Sequence, residues 1–174
     1  MPDAYVHIRT ARAALTASGQ TLPCTAAYEM GANGPDPLFS YEILLKQPVP
    51  DLAALAGRIH REKAGAFLSA LVRNAKGSVQ RSFAAGFVLH NTLDSLAHPY
   101  IAALTAEGAC YAIPNGHCAY EAALDCAYYR TDTQNQHALP QLFDICPKLS
   151  PAELGSICAL LRTALLDVFG AEVP

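Results

Sequence analysis

Apolar residues recur every three to four positions along most of this chain, the spacing that lines one face of an α-helix. Val6, Ile8, Ala11, Ala14 and Leu15 predict a first helix over 3–17, with Pro2 and Asp3 suited to its start. Pro23 and Gly31 bound a short second helix over 23–31. The segment Gly31–Pro37 holds two glycines and two prolines and reads as a rigid turn. Leu52, Leu55, Ile59, Phe67, Leu68 and Leu71 predict one long helix over about 52–75, capped by Asp51. Another runs over about 78–106, opened by Gly77 and Ser78. Pro99 lies inside it and is expected to kink or end it, because proline removes a backbone hydrogen bond. Pro114 and Asn115 start a helix over about 115–130, and residues 131–138 read as a polar loop. Ser150, Pro151 and Glu153 form a capping-box start for a last helix that ends near 169. Nothing reads as a ladder of strands. The expected fold class is all-α, one multi-helix domain over 1–174.

Composition narrows the picture. The chain is 52% hydrophobic and 16% charged, so it has the apolar content of a packed domain and not of a disordered one. Its formal charge of −3 argues against a basic face for nucleic acid. Apolar stretches are interrupted well before the ~20 residues that span a bilayer. The first residues lack the basic and apolar regions of a secretory signal, which implies a cytoplasmic protein unless a leader was removed. The six cysteines (24, 110, 118, 126, 146 and 158) include no CxxC pair and are expected to be reduced and structural.

The strongest chemical signal is His90, Asp94 and His98, four residues apart on one helix face. At ~1.5 Å per residue the two histidines are ~12 Å apart along the axis, too far for one zinc ion with ligand bonds of ~2 Å. A metal reading therefore needs at least two ions, with Asp94 as a possible bridge. His117 and Glu121 repeat the spacing. Asp36 lies between Pro35 and Pro37, so it is expected to be extended and fixed in direction. His7 and His60 are single histidines within helices.

Each piece has an ordinary alternative. A lone helical histidine is more often a hydrogen-bonded core or surface residue than a ligand. His117 and Glu121 alone make a surface pair worth a few tenths of a kcal/mol, and Asp36 alone suits a turn. Asp94 is harder to set aside. It lies among leucines, and a buried carboxylate without partners costs several kcal/mol. Eight residues emerge as candidate ligands: His7, Asp36, His60, His90, Asp94, His98, His117 and Glu121. Asp94 as a bridge adds a ninth contact, which at about three protein ligands per catalytic zinc corresponds to three ions. His137 reads as a surface residue of a polar loop.

In order and type these residues resemble the bacterial zinc-dependent phospholipase C family, whose all-helical fold is shared with single-strand-specific zinc nucleases. The resemblance covers roughly residues 1–125. It implies that Asp36, His60, His90 and Asp94 hold one zinc, and that His98, His117 and Glu121 hold a second. His7 and a bridging Asp94 would hold a third with help from the N-terminal backbone. Asp36 would also contact the attacking water as catalytic base. The chain has no tryptophan to match the family's N-terminal one, and its Asp94–His98 spacing is shorter.

The chemistry so implied is hydrolysis of a small phosphodiester or a phospholipid head group with two or three Zn2+ ions. Nuclease-type phosphodiester hydrolysis, or metal binding without turnover, are the alternatives. Arg58, Arg61 and Lys63 flank His60 and either touch substrate phosphate or form a solvated face, and the solvated face is the better reading. Tyr5, Tyr28, Phe39, Tyr100 and Tyr120 are candidates to line a pocket, and each is at least as well suited to the core.

Overall fold

The apolar stripes become the buried faces of seven α-helices in the computed structural model, which describes residues 4–40, 52–141 and 146–173. We number them α1 (Ala4–Ser18), α2 (Thr25–Ala32), α3 (Leu52–Arg61), α4 (Ala64–Asn74), α5 (Gly77–Thr105), α6 (Gly116–Thr133) and α7 (Pro151–Phe169). A 3-10 helix, Asp36–Ser40, lies between α2 and α3. No strand occurs among the described residues, and the fold is all-α. No described helix is long and apolar enough to cross a membrane. Pro2, Asp3 and Asp51, expected at helix starts, lie outside the described residues.

The main core joins α3, α4, α5 and α7. Leu55 and Ile59 meet Phe67 and Leu71, Phe83 and Phe87, and Ile157, Leu160 and Leu165. Each such side chain contributes about 1.5–3 kcal/mol by leaving water. A smaller cluster of Ala11, Tyr28 and Ala32 joins α1 to α2. Arg12 pins the same pair with two bonds to Glu29, at 2.7 and 3.1 Å. The capping box of α7 forms as expected, with Ser150 and Glu153 bonded reciprocally.

Two expectations need correction, and one is narrowed. The long helix over 52–75 is two helices, broken at Glu62 and Lys63. Neither residue is a breaker. The break belongs to packing on α7, where Arg58 lies 4.8 Å over the Phe169 ring and Lys63 donates to the Val168 carbonyl at 3.1 Å. Of the two outcomes expected at Pro99, a kink or an end, the end is excluded: the helix continues to Thr105, close to the expected span. Pro99 and Ser95, whose carbonyl loses its donor, are both exposed, so the missing bond falls where solvent can replace it. The cysteines are all unbridged, but none belongs to the buried core: Cys24 and Cys126 are half-buried and the other four are exposed.

α2 lies against α5 at a crossing that only glycine permits. A Cβ on Gly31 would strike the Phe83 carbonyl, and one on Gly86 would strike the Tyr28 carbonyl. Both obstacles are backbone and have little room to give. Gly86→Ala is therefore expected to destabilise the fold by about 1–3 kcal/mol or more, as overpacking does. Thermal unfolding would register this as a lowered Tm, and an unchanged Tm would show that the helices separate freely. His90 follows Gly86 by one turn, so this crossing also sets the position of the site.

Candidate metal centre

The i,i+4 run on α5 places Asp94 between the other candidate residues, with one carboxylate oxygen for each of two histidine pairs. Oδ2 lies 3.2 Å from His90 Nε2 and 3.4 Å from His60 Nδ1. Oδ1 lies 3.5 Å from both His7 Nε2 and His98 Nε2. One turn beyond His98 and across a gap, α6 presents Glu121. Its Oε1 lies 2.9 Å from His117 Nε2 and 3.4 Å from His98 Nε2. All eight candidate residues thus come together from α1, the 3-10 helix, α3, α5 and α6. Seven of them line one open cavity of about 880 Å³, and His90 lies buried behind it.

Asp36 reaches the site from the Gly31–Pro37 turn, with a correction. It opens the 3-10 helix instead of standing extended. Turn bonds from Asp36 N–H to the Asn33 carbonyl (3.2 Å) and from Leu38 N–H to the Pro35 carbonyl (2.9 Å) outweigh the usual preference before proline. Gly34 has φ +55°, and a Cβ there would enter the His90 ring. Glycine therefore lets the turn wrap the histidine. His60 Nε2 bonds Asp36 Oδ1 at 2.9 Å.

The orientation of His90 is fixed by chemistry. Its Nδ1 lies 3.1 Å from the Ala32 carbonyl, which only accepts, so Nδ1 carries the hydrogen. Nε2 is then the free lone pair in the neutral ring. It is buried without a hydrogen-bond partner, as is Glu121 Oε2. Leaving such groups unsatisfied costs about 1–3 kcal/mol each. A cation on each would remove both costs, and a histidine held through its other nitrogen is the usual form of a metal ligand.

Among the described residues, three groups have ligand atoms close enough for one ion: His7, Asp36 and His90; His60, His90 and Asp94; and His98, His117 and Glu121. The first two share His90, which offers only Nε2. The arrangement therefore completes two three-residue sites at once, and a third must be built without His90.

Burial and charge prepare these groups differently. Burial is the main cause that lowers His7 to about 4, with His90 adding to it, so His7 is neutral at pH 7. Burial also acts to lower His60, but hydrogen bonds to Asp36 and Asp94 outweigh it and raise the ring to about 9. Burial acts to raise Asp94, yet the hydrogen bond from His60 and the close rings of His90 and His7 hold it well below the carboxylate range. The Glu121 hydrogen bond raises His98. A metal taking His60 near neutral pH must displace a proton. Apparent metal affinity is expected to climb by up to about tenfold per pH unit as pH rises towards 9. His7 adds nothing in that range, since it is already neutral. Isothermal titration across it would check the slope, and a flat profile would exclude His60 as a ligand.

One positioning residue was missed by sequence reasoning. Asp125 of α6 accepts from the backbone N–H groups of Tyr5 (3.0 Å) and Val6 (2.9 Å), satisfying orphan donors at the start of α1. Burial raises its carboxyl despite those bonds. It holds α1, and so His7, against α6. The four-residue spacing His117, Glu121, Asp125 was the available signal.

Other expectations separate. Phe39 lines the cavity and stacks on His60 with ring centroids 5.8 Å apart. Tyr5 bonds Asp132 at 2.8 Å, Tyr28 is in the small core, Tyr120 packs on Tyr111, and Tyr100 is exposed. Arg58 pairs with Glu62 at 3.0 Å and Lys63 caps α7, but Arg61 lines the cavity. His137 is exposed, as expected. No protein-family model, curated protein or solved structure matches the chain, so its reading rests on this geometry.

Proposed function

We propose that this protein is a zinc-dependent phosphoester hydrolase. The observation that carries the reading is Asp94, whose two oxygens face separate histidine pairs at the edge of an open cavity. Imidazole with carboxylate, and no thiolate in the groups, suits zinc. Two ions fit best. His60, His90 and Asp94 would hold one, and His98, His117 and Glu121 the other. Zinc in such a pair supplies Lewis acidity and lowers the pKa of a bound water towards ~7.

The residues of the chain do the rest. His90 is locked by the Ala32 carbonyl and His60 by Asp36, so both rings are set before substrate enters. Asp94 keeps its negative charge throughout. Asp36 lines the cavity, orients His60, and is the base that takes the proton of the attacking water. A cavity of about 880 Å³ admits a small phosphodiester or a phospholipid head group. Nucleic acid is the poorer fit, because the cavity is lined by three carboxylates and one arginine.

Elemental analysis on protein prepared without chelator, followed by a phosphoester panel, tests the reading. Two zinc equivalents with hydrolysis support it. Bound zinc with no turnover of phosphodiesters or phosphomonoesters would replace it with the non-catalytic metal-binding reading. No zinc after add-back would reduce the cluster to a polar network.

A further inference from the structure

Gly57, His60 and Arg61 lie at i, i+3 and i+4 of α3, and all three line the cavity. Arg61 is the only lysine or arginine among the described lining residues. The neighbouring cations are engaged: Arg58 by Glu62 and the Phe169 ring, Lys63 by the Val168 carbonyl. Arg61 makes no hydrogen bond or ion pair among the described residues, although Asp36, Asp94 and Glu121 line the same cavity. Its guanidinium folds back over Gly57. A Cβ at Gly57 would stand 2.5 Å from Arg61 Nη2, 3.3 Å from Cζ and 3.8 Å from Nη1. The absence of a side chain at 57 thus makes the seat in which the guanidinium lies.

We infer that Arg61 is a substrate-binding residue that recognises the phosphoryl oxygens through its planar donors, so that the site selects oxyanionic esters over neutral ones. This rests on the hydrolase reading above. A guanidinium offers paired N–H donors in the geometry of two phosphate oxygens. An arginine held over a glycine, and without a partner among the described residues that line the cavity, keeps those donors for a ligand. Metals at the cluster would neutralise the three carboxylates that otherwise compete for it. Arg61 belongs to none of the ligand groups, so its loss leaves metal binding in place.

The test measures inorganic phosphate binding to zinc-loaded protein by calorimetry, with zinc content measured on each sample. Arg61→Gln removes the charge, and Gly57→Ala keeps it but fills the seat. Alanine is the better helix former, so the second variant folds. Both are expected to bind phosphate at least tenfold more weakly at unchanged zinc content, with KM for a phosphoester rising more than kcat falls. Arg61→Lys is expected to recover only part of the loss. Wild-type affinity in Arg61→Gln would overturn the role of Arg61 and leave the hydrolase reading standing. Zinc-loaded wild type that binds no phosphate would overturn both. Weakening by Arg61→Gln with no change in Gly57→Ala would overturn the seat and so the orientation assigned to the guanidinium.

Discussion

Asp94→Asn is expected to remove bound metal and abolish hydrolysis, with a loss of about 10³-fold or more in kcat/KM. The substitution keeps size and shape and changes one charge. Four histidine nitrogens lie within 3.5 Å of this carboxylate, two on each oxygen. An amide offers one oxygen and turns a donor towards the other pair. Zinc content should fall from two equivalents to one at most, since His60 and His90 lose their anionic partner and His98 loses one of its two. The melting temperature of zinc-supplemented protein should fall as well, because stabilisation by bound metal is lost with the metal. His137→Ala is the control. Its ring is exposed on a loop far in sequence from every ligand, and neither quantity should move. Unchanged zinc content and Tm in Asp94→Asn would sink the clustered site.

The cluster was legible in sequence where its members share a helix. His90, Asp94 and His98, and His117 with Glu121, declare themselves by a spacing of four, because that spacing alone decides that they share a face. Asp36, His7 and His60 were placed by residue type and turn chemistry, without any local rule for which ligand meets which. That His60 bonds Asp36 through one nitrogen and faces Asp94 with the other is a tertiary fact, as is the sharing of His90 between two groups. The break between α3 and α4 escaped for a related reason. Glu62 and Lys63 are good helix formers, and the break goes with the seating of Arg58 and Lys63 on the end of α7. Pro99 left open whether its helix would bend or stop, since its cost depends on whether the orphaned carbonyl sees water. Arg61 is exposed, in keeping with a solvated face, and its place in the cavity wall has no local signature in the sequence.

Glu121→Gln separates the two sites that the geometry draws. Glu121 is almost fully buried, with 1% of its surface exposed, while His98 and His117 are 43% and 40% exposed around their side chains. The carboxylate is thus the fixed member of the outer group and the sole negative charge in it. Glutamine keeps an acceptor for one histidine but places an amide where Oε2 is buried without a partner. That exchange removes the charge a cation needs and adds a donor with nothing to receive it. Zinc content should drop from two equivalents to one, because His60, His90 and Asp94 remain intact on the other side. Activity should fall about 10²–10³-fold, the usual consequence of removing one electrostatic partner of the transition state. Retention of two equivalents with normal turnover would remove Glu121 from the ligand set and leave a single site at Asp94. Loss of both ions would show that His98, which touches Asp94 Oδ1 and Glu121 Oε1 alike, binds the two sites into one cooperative unit.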